Sequence, residues 1–301
     1  MSQSLSLRTW LTTEHTTSAT HAKVQRIWYG WTRFATNPLG MAGLSVIGVL
    51  VLLAIFGPLV APHSPYEQNL ASVLQAPGAE HWLGTDELGR DILSRILWGC
   101  RITLSTVLIV SVIVGPTGLL IGCVAGYFGG WIDVVLTRVT ELFLSFPSLI
   151  LAMAFVAALG PSLHNAIVAI ALTAWPPIAR LARAESLSLR RRDHINAVRL
   201  MGAPQWRIVL LHIAPLCMPS VVVRLTLNMA TIILTAAGLG FLGLGAQPPT
   251  PEWGAMVSTG RRVMLDHWWV VTMPGLAICM VSVSFNLIGD ALRDALDPRQ
   301  E

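Results

Sequence analysis

The sequence predicts an all-α, multi-pass membrane protein with about six transmembrane helices. Only 12% of its 301 residues are charged, about half the share of a soluble domain. Hydrophobic residues make up 53% of the chain and the mean hydropathy is +0.63. The apolar residues fall in blocks of ~20, the length that crosses a ~30 Å hydrocarbon core at a rise of 1.5 Å per residue. The net charge of +4 is carried by arginine, with Lys23 the only lysine. These arginines sit between the apolar blocks, where membrane topology explains them better than nucleic-acid binding does.

The elements follow in order. Residues 1–25 are polar and read as a disordered tail, with no evident cleavable signal. Arg26, Trp28, Tyr29, Trp31, Arg33 and Phe34 mix aromatics with cations, the pattern of a segment lying at the membrane interface, so 1–38 forms an N-terminal tail. Helix one is expected over 39–61, closed by Pro62 and Pro65. A polar loop, 62–101, leads to helix two at 102–128, softly broken at Gly115-Pro116. Residues 131–146 carry Asp133, Arg138 and Glu141 and open helix three, which Phe146-Pro147 bends on its way to Leu159. Arg138 and Glu141 are spaced i, i+3 for an ion pair. Helix four is expected over 163–181, helix five over 215–239, and helix six from Trp268-Trp269 to Ile288. The transmembrane region is thus 39–290, and 291–301 is a tail.

Six spans place both termini on one side. The N-terminal segment, the 182–214 loop and the tail hold most of the arginines, so the positive-inside rule makes them cytoplasmic. The loops 62–101 and 241–267 then face outward. The four cysteines lie in or beside apolar blocks with no disulfide or zinc spacing. His63, His164, His212 and His267 do not cluster in sequence, so no metal site is expected. Arg224 falls within the apolar block of helix five, about 13 Å from its start. It either snorkels or pairs, or lines a polar path through the bundle.

The 182–214 loop is too patterned for a connector. Residues 182–201 are helix formers with a one-sided apolar face, Gly202 permits a tight turn, and Pro204 suits the start of another short helix. A short helix projecting from a bundle either docks in a partner's groove or lies on the surface without one.

Here a family resemblance enters. Asn196-Ala197-Val198, then Gly202, then His212-Ile213-Ala214-Pro215, resembles the EAA loop of ABC importer permeases. Ala197, Gly202 and Pro215 match that pattern; Asn196 and Val198 replace the Glu and second Ala, and Ala214 replaces a Leu. Leu83-Gly84-Thr85-Asp86-Glu87-Leu88-Gly89-Arg90-Asp91, Gly126-Tyr127-Phe128-Gly129-Gly130 with Asp133, the 242–254 loop, and Phe285 to Pro298 resemble further segments of the family's dipeptide/oligopeptide/nickel branch, C-type subunit. The resemblance spans about residues 39–299.

It implies a type I ABC importer permease whose loop between helices four and five is a cytoplasmic coupling helix. Asn196, Ala197, Leu200, Gly202, Ala203, Trp206 and Arg207 would form the ATPase-docking surface. The implied partners are a second permease subunit, one or two ATPase subunits and a solute-binding protein in a bacterial inner membrane. The implied cargo is di- or oligopeptide, with nickel, a metal chelate or glutathione as the alternative. Asp86, Arg90 and Asp91 either touch the binding protein or form a capped, salt-bridged turn. The chain has no G-x-x-x-x-G-K-[ST] phosphate loop. ATP and Mg2+ chemistry would therefore belong to partner subunits, with no cofactor and no enzymatic activity in this chain. A gradient-driven carrier would instead call for paired ionisable groups at the midplane, and no apolar block carries a convincing acid.

Overall fold

A backbone in lipid must satisfy its own hydrogen bonds, which favours helices. In the computed structural model, which describes residues 19–296, the regular elements are helical apart from one isolated antiparallel bridge between Thr85 and Asp91. Helix α1 spans Ala19–Ala35 and α2 spans Pro38–Val60. Asn37 starts α2, its side-chain oxygen accepting from the Leu39 and Gly40 amides at 3.1 Å each. Helix α3, Ile92–Phe128, is capped by Asp91. Helices α4 (Gly130–Leu144) and α5 (Ser148–Leu159) meet at a 90° bend around Phe146-Pro147. Next come α6 (Leu163–Ala174), α7 (Pro176–Leu189), α8 (Asp193–Leu200) and α9 (Gln205–Ile208). A π-helical turn, Val209–Ile213, joins α9 to α10 (Ala214–Phe241). Helices α11 (Trp253–Gly260) and α12 (Trp269–Leu296) follow.

Five stretches are long and apolar enough to cross a membrane: α2, α3, Leu163–Leu189, Gln205–Phe241 and α12. The bent α4–α5 pair supplies the sixth. Helix α3 is the central rod, packed along α7, α2 and α10, while α12 lies against α10 and α2. The core along α3 holds Val107, Val110, Val114 and Cys123, facing Ile178, Ala182 and Val221.

Several boundaries differ from expectation. The polar tail stops earlier than residue 25, because α1 starts at Ala19; residues 1–18 lie outside the described residues. Phe34 holds that helix in place, 4% exposed against Ile288 and Ala291 of α12. Helix two begins at Ile92 rather than 102, since Asp91 caps it. Its 37 residues make a rod of ~55 Å, well beyond the hydrocarbon thickness. Pro116 lies inside that helix without ending it. Helix four continues past 181 as α7, to Leu189, because Pro176 and Pro177 occupy the first turn of a new helix, where proline is tolerated. Helix six runs to Leu296, so 291–296 is not a free tail, and 297–301 lie outside the described residues. The 241–267 loop contains α11, started by Glu252.

Candidate functional site

The segment from Arg190 to Ile213 folds as turn, helix, turn, helix. The expected single helix over 182–201 is broken at Arg190–Arg192 into α7 and α8. Gly202 follows α8 at φ +79°, with open space where a Cβ would stand. Its left-handed backbone is the reason for glycine there. Pro204 is the N-cap of α9. Ile195 and Ile208, both fully buried, pin the two short helices to the bundle. Between these anchors the tip is apolar and exposed: Leu200 88%, Met201 76% and Trp206 59%. Ala197, Gly202 and Arg207 are exposed with them, while Asn196 and Ala203 are half-buried. The Arg207 guanidinium lies 5.8 Å from the Trp206 ring centre. Of the seven expected residues, five therefore share one open surface and two sit at its base. Met201 belongs to that surface and escaped the motif comparison.

The frame behind the tip is tight. Gly118, Gly122 and Gly126 on α3 recur every four residues, one face of a helix. Helix α7 packs directly on them: a Cβ on Gly126 would stand 2.6 Å from the Arg183 carbonyl oxygen, and one on Gly122 would press into that of Ala179. Ser186 Oγ donates to the Cys123 carbonyl at 3.1 Å, and Arg190 Nη1 donates to that of Gly126 at 3.1 Å. The Arg183 guanidinium grips Asp133 on α4 through Nε and Nη2. The four-residue spacing of these glycines is a signal the sequence carries, though the turn reading of Gly126-Gly129-Gly130 passed over it. The Asp133–Arg183 pair, fifty residues apart, left no such signal. Beside the tip, Arg190, Arg191 and Arg199 line a basic cleft of about 490 Å³ with Tyr127, Asn196 and Gln205.

Arg224 is exposed on α10 and lines a cleft of about 470 Å³ with Leu181, Glu185, Ser220, Leu227 and Arg293. It faces this opening rather than a packed apolar interior. Cys100, Cys123 and Cys217 are buried, and Cys279 is exposed.

At the other end of α3, Asp86, Arg90 and Asp91 are 6%, 7% and 2% exposed. They form the capped, salt-bridged turn and do not present a free surface. Asp86 Oδ2 accepts from Arg90 Nε at 2.7 Å and its Oδ1 accepts from the Leu88 and Arg90 amides. Arg95 Nη1 donates to the Pro65 carbonyl at 2.9 Å. Asp91 Oδ2 accepts from the amide and hydroxyl of Ser94. Trp269 Nε1 donates to the Thr85 carbonyl, tying this knot to α12. His63, which the sequence offers no neighbour for, meets a histidine not singled out there: the His63 and His81 rings lie tilted at 39° with centres 4.7 Å apart, beside Asp91. The 18- and 10-residue separations hid this grouping from any spacing rule.

A multi-span helical bundle with a projecting two-helix segment between its fourth and fifth spans defines the type I permease fold of ABC importers. Two family profiles match the chain: "Binding-protein-dependent transport system inner membrane component" over residues 118–301, and "N-terminal TM domain of oligopeptide transport permease C" over residues 26–77. The chain belongs to the binding-protein-dependent inner-membrane permease family and is a multi-pass inner-membrane transport subunit. It is 44% identical to a probable D,D-dipeptide transport system permease protein of Escherichia coli K12, covering 87% of this chain and 88% of that one. It is 45% identical to a dipeptide transport system permease protein of Alkalihalophilus pseudofirmus, over 88% and 87% of the two chains. It is also 41% identical to a glutathione transport system permease protein of Pectobacterium atrosepticum, over 89% and 90%. An inward-facing structure of the MetNI methionine ABC transporter shares the fold, with a TM-score of 0.55 and 21% identity, over 67% of this chain and 97% of that one.

Proposed function

We propose that this chain is one permease half of an ATP-driven importer of di- or oligopeptides, paired with a second, related permease. The observation that carries this reading is the exposed Leu200–Met201–Trp206 tip, held between the buried anchors Ile195 and Ile208. Exposed apolar side chains on a rigid frame suit the groove of a soluble partner. That partner is an ATPase subunit, which binds ATP and Mg2+ and moves the tip as it closes. Glycine-tight packing of α7 on α3 then passes the motion into the bundle, because two backbones in contact move as one body. A docked partner shifts the bundle only if its ATP-bound and ATP-free forms hold the tip differently. In this reading the termini and the tip are cytoplasmic. The cap around Asp86 faces outward, toward a solute-binding protein that delivers cargo. One or two ATPase chains complete the complex.

Arg224 and Arg293 outweigh Glu185 in the cleft beside α10, and the two guanidinium groups suit a peptide's terminal carboxylate. Peptides are favoured over other cargo because the D,D-dipeptide and dipeptide permeases are among the most similar relatives. Glutathione is the second reading, favoured by the Pectobacterium relative.

Co-purification of the tagged chain from its native membrane tests the assembly. Recovery of a second permease, an ATPase and a binding protein is expected; recovery of the chain alone under gentle detergent would overturn the reading. Uptake of labelled dipeptide against labelled glutathione by the reconstituted complex then decides the cargo. Arg224→Gln is expected to lower uptake at least fivefold, and unchanged uptake removes Arg224 from the path.

A further inference from the structure

We propose that His63, His81 and Asp91 form a site for a divalent transition-metal ion, with Zn2+ as the ion its donors suit, tying the end of α2 to the start of α3. The three residues come from different places: His63 just beyond α2, His81 in the loop, and Asp91 at the N-cap of α3. One donor atom from each lies within 4.8 Å of the other two. His81 Nδ1 is 2.9 Å from Asp91 Oδ1, and His63 Nδ1 is 3.9 Å from the same oxygen.

The proton and lone-pair arrangement favours a cation. Both hydrogen bonds from Ser94 go to Asp91 Oδ2, which leaves Oδ1 to face the two imidazoles. His63 Nδ1 is buried with no hydrogen-bond partner, although its ring is 35% exposed. A buried, unpaired ring nitrogen pointing at a carboxylate oxygen is costly without an ion to share. The His63 amide donates to Ser94 Oγ at 3.1 Å, so the backbone of this residue is already fixed to α3. Metal–ligand bonds of 2.0–2.2 Å in tetrahedral geometry put donor atoms about 3.3 Å apart. Closing the site therefore needs the His63 donor to come about 0.6 Å nearer Asp91 Oδ1 and up to about 1.5 Å nearer the His81 donor. On binding, His81 would coordinate through Nδ1 as the neutral Nε2–H tautomer, its Nδ1 proton exchanging through solvent, and the exposed side at His63 leaves the fourth position to water. Two imidazoles and one carboxylate suit Zn2+ and its neighbours and do not suit Mg2+ or Ca2+, which prefer all-oxygen shells.

This inference is independent of cargo and of membrane orientation. Its test uses the full chain, purified without a polyhistidine tag and stripped with EDTA, then dialysed against Zn2+ and, separately, Co2+. One equivalent of Zn2+ per chain is expected, a visible Co2+ spectrum, and a rise in thermal midpoint with Zn2+ but not with Mg2+. His63→Ala is the informative variant, since His81 and Asp91 also organise the loop. It should weaken Zn2+ binding at least tenfold and abolish the Co2+ spectrum. His63→Cys should retain one equivalent, which guards against a folding defect in the alanine variant. No saturable Zn2+ site in the native chain, or equal affinity in His63→Ala, would overturn the proposal.

Discussion

Arg183 of α7 and Asp133 of α4 are joined by a two-pronged, charge-assisted contact, with Nη2 donating to Oδ2 at 2.7 Å and Nε to Oδ1. Thr137 Oγ1 also donates to Asp133 Oδ1 at 3.1 Å. The same stretch of α7 packs on the α3 glycines, so this pair fixes α4 relative to the rod that carries the tip.

Arg183→Lys loses the fork geometry while keeping the charge. Because the pair is only part-buried, the expected loss of stability is about 1 kcal/mol. The larger expected effect is functional: ATP hydrolysis by the reconstituted complex persists while transport per ATP falls. A double-mutant cycle with Asp133→Asn checks the assignment, and additive effects would show that the two side chains do not act together.

Gly122→Ala places a methyl group against the Ala179 carbonyl oxygen. It is expected to cost about 1–3 kcal/mol, the range for overpacking a tight contact. Gly48→Ala in α2 meets nothing within 4 Å and is the control. There the helix should gain up to about 1 kcal/mol, from the better helix propensity of alanine. Detergent-phase thermal unfolding of the two variants should move in opposite directions.

Trp206→Ala should leave the thermal midpoint unchanged, because the side chain is 59% exposed, yet weaken recovery of the ATPase at least tenfold. Gly202→Asp forces a carboxylate side chain into a left-handed position at the same surface. Full ATP-driven transport by the purified complex carrying either variant would remove the tip from the proposed coupling path.

Asp86 accepts from Arg90 Nε and stands 3.7 Å from Arg95 Nε. Asp86→Ala leaves two buried guanidinium groups without their carboxylate, an imbalance worth about 3–5 kcal/mol. Poor expression or early unfolding is expected. A stable variant defective only in binding-protein docking would reverse the assignment of this residue to the loop's interior.

Glu252 caps α11, accepting from the Gly254 and Ala255 amides at 2.9 and 2.8 Å. Burial nevertheless holds its carboxyl above the ordinary range, overriding those bonds. The folded chain therefore keeps this proton longer than the unfolded chain does. Stability falls as pH rises from the ordinary glutamate value, near 4.5, through the raised one. Glu252→Gln should remove that component from the pH dependence of the thermal midpoint. Superimposable pH profiles of the two proteins would refute it.

The bundle was legible in the sequence because a membrane span is a local property. Twenty apolar residues declare themselves without reference to any neighbour, and Gly202 and Phe146-Pro147 mark turns the backbone then makes. The ends of the helices were less legible. Whether 92–101 is loop or helix depends on Asp91 capping the chain from inside a folded knot, and α7 depends on the glycine face of α3 to pack against. The motif singled out the segment proposed to dock, but it did not distinguish the exposed Leu200 and Trp206 from the half-buried Asn196 and Ala203.

The sequence by itself determined what lies within a few residues of itself: apolar length, helix-stopping prolines, the spacing of three glycines, and an arginine within an apolar block. Tertiary structure alone decided which polar groups meet. Asp133 with Arg183, His63 with His81 and Asp91, and Trp269 with Thr85 are separated by 10 to 184 residues. Their meeting depends on how whole helices pack, and no local pattern of residue types encodes that.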